Sequence, residues 1–334
     1  MGGTRPPVLV TRRLPQAALD RVEARCDMTL YEGDGAMPRG RLLVAVSGQA
    51  GAVTLLTDRV DDEFLDAAGP QLKVVANYAV GFDNIDVDAC TRHGVLACNT
   101  PEVLTETTAD TAFALMMAAA RRIAEGDRFL RSGAAWTWGP LMMLGQDVHH
   151  KTLGVVGFGR IGRALARRAR GFAMRVLYHD LYRPPAEAEQ ELQAEYRDLE
   201  DLLRESDFVS LHISLTPQTR HLINAGRLAL MKPTAVLVNT SRGPVIDEQA
   251  LAQALTEGQI LAAGLDVFEH EPDVHPGLLA CQNAVLLPHL GSATVHTRLA
   301  MANLAVDNLL AGLDDRHPPA LLNPEAREQH AADG

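Results

Sequence analysis

The sequence predicts an α/β protein of two domains, each built on a parallel sheet. Short apolar runs alternate with helix-like stretches along most of the chain, which is the pattern of parallel strands joined by helical crossovers. A glycine-rich turn in mid-chain begins a second series of such runs. The length of 334 residues is enough for two domains with separate cores.

The elements follow from the apolar periodicity. The first series predicts strands over 8–11, 28–31, 53–56, 74–77 and 95–98, with helices over 16–25, 42–48, 63–68 and 85–92. The second series predicts strands over 154–156, 176–179, 208–212, 236–239, 262–265 and 285–287. Longer helices are expected over 106–123 and 293–313, and the polar residues 318–334 are expected to fray.

The domain boundaries depend on where the last helix packs. We expect it to return to the first domain, which is then discontinuous and comprises 1–101 plus 294–334. The second domain comprises 102–293 and includes an apolar helical stretch, 107–120, that suits a subunit or domain interface.

Composition argues against several classes of partner. The net charge of −11 argues against a nucleic-acid or anionic membrane surface. The apolar run 113–120 ends at Arg121, too early to span a bilayer, so no membrane association is expected. The four cysteines show no C-x-x-C pairing and the start of the chain lacks an apolar signal segment. Both observations predict reduced thiols in a cytoplasmic protein.

The glycine turn is Gly157-Phe158-Gly159-Arg160-Ile161-Gly162, between an apolar run and an amphipathic stretch. Gly157 permits a sharp turn, Gly159 lets a pyrophosphate approach the backbone, and Gly162 lets the helix pack on the strand. The N–H groups near Arg160 and Ile161 then face the phosphates at the positive end of the helix dipole. This order of elements predicts a Rossmann-type, doubly wound parallel sheet that binds a dinucleotide.

Asp180 follows the next apolar run and refines the identity of the cofactor. A carboxylate there accepts hydrogen bonds from the adenosine ribose and repels a 2′-phosphate, which favours NAD(H) over NADP(H). Arg183, three residues on, could instead bind that phosphate, and this leaves NADP(H) open. We interpret Arg183 as a solvated loop arginine.

Three later segments, 239–243, 264–272 and 287–292, each follow a predicted strand, where open α/β sheets bind ligands. They contain Arg242, Glu271 and His289. Arginine stabilises a developing oxyanion and grips a carboxylate, histidine donates a proton near neutrality, and a carboxylate behind the imidazole fixes its tautomer. Each residue alone has an ordinary structural explanation. His270, Glu271 and His275 match no common metal-ligand spacing, so no metal is predicted.

The chain resembles the D-isomer-specific 2-hydroxyacid dehydrogenases over nearly its whole length, and most of all the glyoxylate and hydroxypyruvate reductases. The resemblance rests on residues 77–86 (NYAVGFDNID), on the glycine turn and on the three segments. It implies a homodimer in which a Rossmann-type cofactor domain and a smaller flavodoxin-like substrate domain form a cleft.

The same resemblance implies roles for individual residues. Arg242 binds the substrate's carboxylate and keto oxygen, Glu271 orients the catalytic histidine, and His289 is that histidine. Val80 and Gly81 supply backbone donors to the carboxylate, and Trp138 forms a pocket wall contributed by the partner subunit. The implied cofactor contacts are Thr108, Gly157, Gly159, Arg160, Ile161, Gly162, Asp180, Thr240, Ser241, Arg242, Asp266, His289, Gly291 and Ser292.

The implied reaction is NAD(P)H-dependent reduction of a small 2-keto acid, glyoxylate or hydroxypyruvate, to the D-2-hydroxy acid. Hydride adds to C2 and His289 protonates the oxygen. One alternative is an NADPH-preferring reductase of 2-ketogluconate or another 2-keto acid. A second, of another class, is an NAD-sensing corepressor or scaffold on the same fold.

Overall fold

Two compact units make up the chain. The computed structural model describes residues 5–326. Unit 1 comprises Met1–Leu104 with Ala293–Gly334, and unit 2 comprises Thr105–Ser292. The divisions after residues 104 and 292 lie close to the predicted ones after 101 and 293. Each unit has its own sheet and its own apolar core.

Unit 1 begins with strands and helices in strict alternation. They are β1 (Pro7–Val10), α1 (Gln16–Glu23), β2 (Asp27–Leu30), α2 (Arg39–Val46), β3 (Gly51–Thr54), α3 (Asp62–Ala68), β4 (Val74–Asn77), α4 (Val87–Arg92) and β5 (Leu96–Cys98). The five strands pair in parallel in the order β2-β1-β3-β4-β5. Asp61 and Asp86 start α3 and α4 by accepting the backbone N–H of the third helical residue.

Unit 2 contains the longer series of elements. They are α5 (Thr105–Ala120), α6 (Ile123–Arg131), β6 (Thr152–Val156), α7 (Arg160–Arg170), β7 (Arg175–His179), α8 (Ala186–Leu192), β8 (Ala194–Tyr196), α9 (Leu199–Glu205), β9 (Phe208–Leu211), α10 (Ala225–Leu228), β10 (Val236–Asn239), α11 (Glu248–Thr256), β11 (Ala262–Leu265), α12 (Pro276–Ala280) and β12 (Ala284–Leu286). A short 3₁₀ turn, Gly243–Val245, precedes α11.

The sheet of unit 2 is parallel throughout, in the order β12-β11-β10-β9-β6-β7-β8. The chain starts at β6, builds outward to β8, and then returns to β9 on the other side of β6. This is the doubly wound topology predicted from the glycine turn. The reversal of strand order beside β6 opens a crevice at the carboxyl ends of the strands.

The last helix, α13 (Val295–Leu313), belongs to unit 1. It packs on β3 and β4, where Gly51 and Gly312 leave no room for a side chain: a Cβ would lie 2.7 Å from Leu309 and Val74 respectively. The Arg21 guanidinium of α1 also binds Asp307 on α13, at 2.5 Å. These contacts explain why the end of the chain returns to the first unit.

One local prediction is wrong, and one element was not predicted. The helix expected over 106–123 ends at Ala120. Arg122 adopts a left-handed φ of 53° and its guanidinium pairs with Glu125, so a separate helix α6 begins at Ile123. The short strand β8 was not predicted, because three residues at a sheet edge carry no periodicity.

The polar segment after α13 does not fray within its described part. Asn323 is buried, and both the oxygen and the nitrogen of its side-chain amide form hydrogen bonds. The oxygen accepts the N–H of Ala97 at 2.8 Å, and the nitrogen donates to Val95 O at 2.9 Å and to Thr91 Oγ1 at 3.1 Å. Leu322 adds a backbone hydrogen bond to Ala97 O. Residues 318–326 therefore complete unit 1 beside β5. Residues 327–334 lie outside the described residues.

Among residues 5–326, no helix is both long enough and apolar enough to cross a bilayer.

Candidate active site

The candidate site lies at the carboxyl ends of the unit 2 strands. The glycine turn leaves β6, and the segments that hold Arg242, Glu271 and His289 leave β10, β11 and β12, which are neighbours in the sheet. The carboxyl ends of parallel strands share one edge, so the sheet brings these loops together.

The glycine turn has the geometry that a dinucleotide requires. Gly157 has a φ of 91°, and a Cβ there would lie 2.5 Å from the carbonyl oxygen of His212. A Cβ at Gly162 would overlap the carbonyl oxygen of Gly157, so helix and turn touch directly. Gly159, the N-cap of α7, has open space around its Cβ position, which leaves its backbone accessible to a phosphate.

Asp180 closes the turn from the neighbouring strand. Its Oδ2 accepts the N–H of Phe158 at 2.6 Å and its Oδ1 accepts that of Tyr182 at 3.0 Å. The carboxylate is thus held against the turn, where a ribose would pass. Arg183 is exposed in a loop, as predicted, and its guanidinium stacks on the Tyr196 ring, 4.2 Å from the centroid.

The loop after β10 is built by Asn239. This buried amide accepts the N–H of Ser241 at 3.0 Å and its hydroxyl at 2.7 Å, and donates to Arg242 O at 2.9 Å. The neighbouring Thr240 hydroxyl is buried and has no hydrogen-bond partner in the part of the chain that the structure describes. An unsatisfied buried hydroxyl on the sheet edge that carries the glycine turn fits a bound dinucleotide that would supply the missing partner.

His289 and Glu271 form the predicted pair. His289 Nδ1 lies 2.9 Å from Glu271 Oε2, and Glu271 Oε1 accepts the N–H of Phe268 at 3.0 Å. Because an ionised carboxylate only accepts, the contact favours the tautomer protonated on Nδ1 and leaves Nε2 to exchange a proton with a ligand. About a third of the His289 side chain, 34%, is exposed, so a ligand can reach it.

The electrostatics keep Glu271 ionised. Burial acts to raise the pKa of Glu271, but the hydrogen bond and charge of His289, the Phe268 N–H and the charge of Arg242 outweigh it and hold the pKa below its ordinary value. The charge of Arg242 therefore makes a small contribution to keeping Glu271 ionised.

Asp266 anchors the histidine loop. Its carboxylate accepts the N–H groups of Leu290 at 2.6 Å and Gly291 at 2.7 Å, and its carbonyl accepts that of His289. Burial raises the pKa of Asp266 despite these bonds. Thr108 of α5 lies against Gly291, and Ser292 is buried next to it. The sequence predicted a cofactor contact for these residues, and the structure adds an anchoring role for Asp266.

Gly243 fixes the distance between the arginine loop and the glutamate loop. A Cβ at this position would overlap the carbonyl group of Phe268 and the backbone nitrogen of Glu269. The loop that presents Arg242 therefore rests directly on the peptide that precedes Glu271. Only glycine permits this approach.

Replacement of Gly243 by alanine should consequently separate the two loops. Since both sides of the contact are backbone, no side-chain rotation can relieve the overlap, and we expect a loss of about 1–3 kcal/mol in the free energy of unfolding. Urea denaturation followed by far-ultraviolet circular dichroism measures it. Gly40→Ala is the matched control, because a Cβ at Gly40 meets open space. An unchanged unfolding curve for Gly243→Ala would contradict the contact.

The remaining predicted residues are distributed over both units. Val80 and Gly81 belong to unit 1, in a loop whose carbonyls are held by Asn99 (to Val80 O, 2.8 Å) and Asn77 (to Gly81 O, 3.2 Å). Trp138 is 77% exposed, so it packs against little of its own chain. Arg160 and Ile161 form the first turn of α7, as predicted.

Sequence reasoning missed the residues that support the site. Glu248 accepts the N–H of Glu269, and the Glu269 carboxylate contacts His221. Glu248 directly follows Asp247, the N-cap of α11, so in the sequence it is indistinguishable from an ordinary acidic residue of a first helical turn. No group of three His, Cys, Asp or Glu side chains that could hold a metal is found in residues 5–326.

Comparisons with known proteins identify the family of the chain. Residues 113–291 match the D-isomer specific 2-hydroxyacid dehydrogenase, NAD binding domain. A glyoxylate reductase of Thermococcus litoralis is 51% identical over 326 residues, which cover 96% of this chain and 98% of that protein. The crystal structure of a protein from Thermus thermophilus has a TM-score of 0.89 at 45% identity, covering 95% of this chain and 99% of that one.

A further structure, an NADPH-dependent glyoxylate/hydroxypyruvate reductase of Sinorhizobium meliloti in complex with NADP and malonate, has a TM-score of 0.85 at 32% identity. It covers 97% of this chain and 98% of its own. A dinucleotide fold with a histidine–carboxylate pair on the sheet edge that also carries the glycine turn is the pattern of a nicotinamide-dependent oxidoreductase. The chain belongs to the D-isomer-specific 2-hydroxyacid dehydrogenase family and carries its NAD-binding domain.

Proposed function

We propose that the protein reduces a small 2-keto acid, such as glyoxylate or hydroxypyruvate, to the D-2-hydroxy acid with NADH. The observation that carries the proposal is the His289–Glu271 pair, at 2.9 Å, on the sheet edge that also holds the glycine turn. The glyoxylate reductase of Thermococcus litoralis, similar along nearly its whole length, supports the choice of substrate.

The roles of the side chains follow from their chemistry. Arg242 binds the keto oxygen and stabilises the negative charge that develops there, while its planar fork also grips the substrate carboxylate. When bound, the reduced nicotinamide supplies the hydride that adds to C2. His289 Nε2 gives the proton to the oxygen, and Glu271 orients the imidazole and balances its charge.

The residues that would hold the cofactor are those around the glycine turn. Gly157, Gly159 and the first turn of α7 are suited to the pyrophosphate, Asp180 to the adenosine ribose and Thr240 to the remaining polar contact. The Asp180 carboxylate supports a preference for NADH. The NADP complex of the Sinorhizobium meliloti relative shows that the fold also accommodates the phosphorylated cofactor.

Asp180→Ser is expected to shift the cofactor preference towards NADPH. Removing the carboxylate removes its repulsion of the 2′-phosphate, so the ratio of kcat/KM for NADPH to that for NADH should rise about ten-fold or more. Initial rates with both cofactors measure the ratio. Asp201→Ser, on the exposed face of α9, serves as control. An unchanged ratio would exclude Asp180 as the selective residue.

The activity itself is tested with a panel of keto acids. Purified protein should oxidise NADH with glyoxylate and hydroxypyruvate, and chiral chromatography should show the D-enantiomer of the product from hydroxypyruvate. 2-Ketogluconate with NADPH tests the bulkier alternative. Absence of turnover with every keto acid, together with intact NADH binding, would favour the corepressor or scaffold alternative instead.

We also propose a homodimer, in which Trp138 lines the partner's pocket. Within its own chain, α5 packs on β10 and β11. A group of exposed apolar side chains follows α5 in the sequence, on α6 and in the loop after it. They are Ile123, Leu130, Trp136, Trp138, Leu141 and Leu144, each more than half exposed. So much exposed apolar surface is typical of a subunit interface.

The dimer predicts a specific response to charge. Sedimentation velocity should give twice the monomer mass for the native chain and a monomer for Leu141→Asp, because a buried unpaired carboxylate at the interface opposes association. Leu279→Asp, at an equally apolar exposed position on α12, should remain dimeric. A monomeric native chain would contradict the proposal.

We also propose that the protein is cytoplasmic. Its four cysteines are free and three of them are buried, which supports a reducing compartment.

A further inference from the structure

Glu248 is a buried carboxylate that the proposed mechanism does not use. It is the first residue of α11 and is 4% exposed. Its Oε1 accepts the N–H of Glu269 at 2.7 Å. Burial raises its pKa, and the backbone N–H groups of Glu269 and His275 only partly offset this. A carboxylate is costly to bury, so its place beside the active-site loop calls for a role.

The peptide that Glu248 holds is directly next to the one that supports Glu271. Two consecutive backbone N–H groups donate to two different carboxylates. The N–H of Phe268 donates to Glu271 Oε1 at 3.0 Å, and the N–H of Glu269 donates to the carboxylate of Glu248. Glu271 Oε2 in turn accepts from His289 Nδ1 at 2.9 Å. A movement of this peptide therefore moves the acceptor that fixes the imidazole.

Other contacts share the task of holding the loop. The carboxylate of Glu269 contacts His221 Nε2 at 2.5 Å and Arg220 Nη1 at 3.6 Å. Gly243 lies against the same peptide from the side of the arginine loop. Because these contacts persist without Glu248, its loss should displace the loop rather than unfold it.

We propose that Glu248 is a positioning residue for the His289–Glu271 pair, acting through the N–H of Glu269. The role depends on the reach of its side chain and not on its charge. The kinetic consequence rests on the proposed function, whereas the effect on the imidazole does not. A purely structural alternative also exists: an acidic residue in the first turn stabilises a helix through its charge.

Two conservative variants separate these roles. Glu248→Asp keeps the charge but is one methylene shorter, so it withdraws the acceptor from Glu269. Glu248→Gln keeps the length and an amide oxygen that can accept the same N–H, but has no charge. Positioning predicts that the glutamine variant behaves as the native protein and the aspartate variant does not. Helix stabilisation by charge predicts the reverse.

The first readout is the tautomer of His289. In protein labelled with ¹⁵N-histidine, at a pH where the imidazole is neutral, the ring nitrogen shifts show which nitrogen carries the proton. The His289 signals are assigned by their loss in His289→Asn. We expect the Nδ1-protonated tautomer in the native chain and in Glu248→Gln, and a mixed population in Glu248→Asp. A native tautomer in Glu248→Asp would overturn the proposal.

The second readout is a double-mutant cycle. With glyoxylate and NADH, Glu248→Asp should lower kcat about ten-fold through misplacement of the pair, with KM for NADH unchanged. In a Glu271→Gln background the same change should have no further effect, because the residue through which it acts is already lost. Glu257→Asp, on the exposed end of α11, is the matched control.

Additive losses in the cycle would overturn the proposal even if the native enzyme is active. If the native protein turns over no keto acid, the proposed function fails, and the tautomer measurement alone decides the role of Glu248. The two failures are therefore distinguishable.

Discussion

His289→Asn should lower kcat/KM for glyoxylate reduction by about 10²–10⁴-fold, because the reaction then lacks its proton donor. Asparagine is the suitable replacement. His289 has a left-handed φ of 56°, a conformation that asparagine tolerates better than most residues, so the variant adds no backbone strain. The backbone bonds of the loop to Asp266 also remain, since they do not involve the imidazole.

The measurement needs two parts, so that a lost proton donor is distinguished from a lost fold. Steady-state rates give kcat/KM, and quenching of protein fluorescence by NADH gives cofactor affinity, which should be unchanged. His149→Asn serves as control, since that histidine is exposed on the connector before β6. Turnover at the native rate in His289→Asn would rule out His289 as the proton donor.

The sequence predicts the pair because short motifs encode it. His289 and Glu271 each follow a strand of one parallel sheet, and the carboxyl ends of such strands meet at one edge. Topology, which the strand–helix alternation predicts, brings the two loops to one edge, and the family resemblance implied the pairing that the structure shows at 2.9 Å. The glycine turn is equally local, since its φ of 91° at Gly157 is a property of consecutive residues.

The supporting contacts could not be predicted, because they join segments that are distant in sequence. In the sequence, Gly243 is simply one glycine of a loop. Its role depends on its contact with a peptide 25 residues further along the chain. The tail after α13 is polar and looks unstructured, yet the Asn323 amide satisfies backbone groups beside β5. Composition describes the average preference of a segment, whereas one well-placed amide can decide whether the segment docks.

The same limit applies to α5 and α6. A continuous helix through Arg121 and Arg122 is compatible with the local helix propensity of the segment. The break is stabilised by the pairing of Arg122 with Glu125 and by the return of the chain at Gln146, whose N–H binds Ala120 O at 2.8 Å. Only the second contact involves a distant segment, and it satisfies a carbonyl at the end of α5.

Arg242→Ala should lower kcat/KM by about 10²–10³-fold, because the developing oxyanion loses its cation. The loop is held by Asn239, which donates to Arg242 O at 2.9 Å and accepts the N–H of Ser241 at 3.0 Å, and neither bond involves the guanidinium. The loop should therefore keep its shape in the variant, and NADH should still bind. Arg204→Ala, which removes an exposed arginine of α9, is the control.

Arg242→Lys distinguishes charge from geometry. Lysine keeps the positive charge near the keto oxygen but cannot form the two parallel hydrogen bonds of a guanidinium to a carboxylate. We therefore expect a higher KM for the keto acid and a smaller loss of kcat than in Arg242→Ala. Added guanidinium ion should restore part of the rate of Arg242→Ala and none of that of His289→Asn. If lysine restores the full native kcat/KM, charge alone is sufficient and the bidentate grip on the carboxylate is not part of the mechanism.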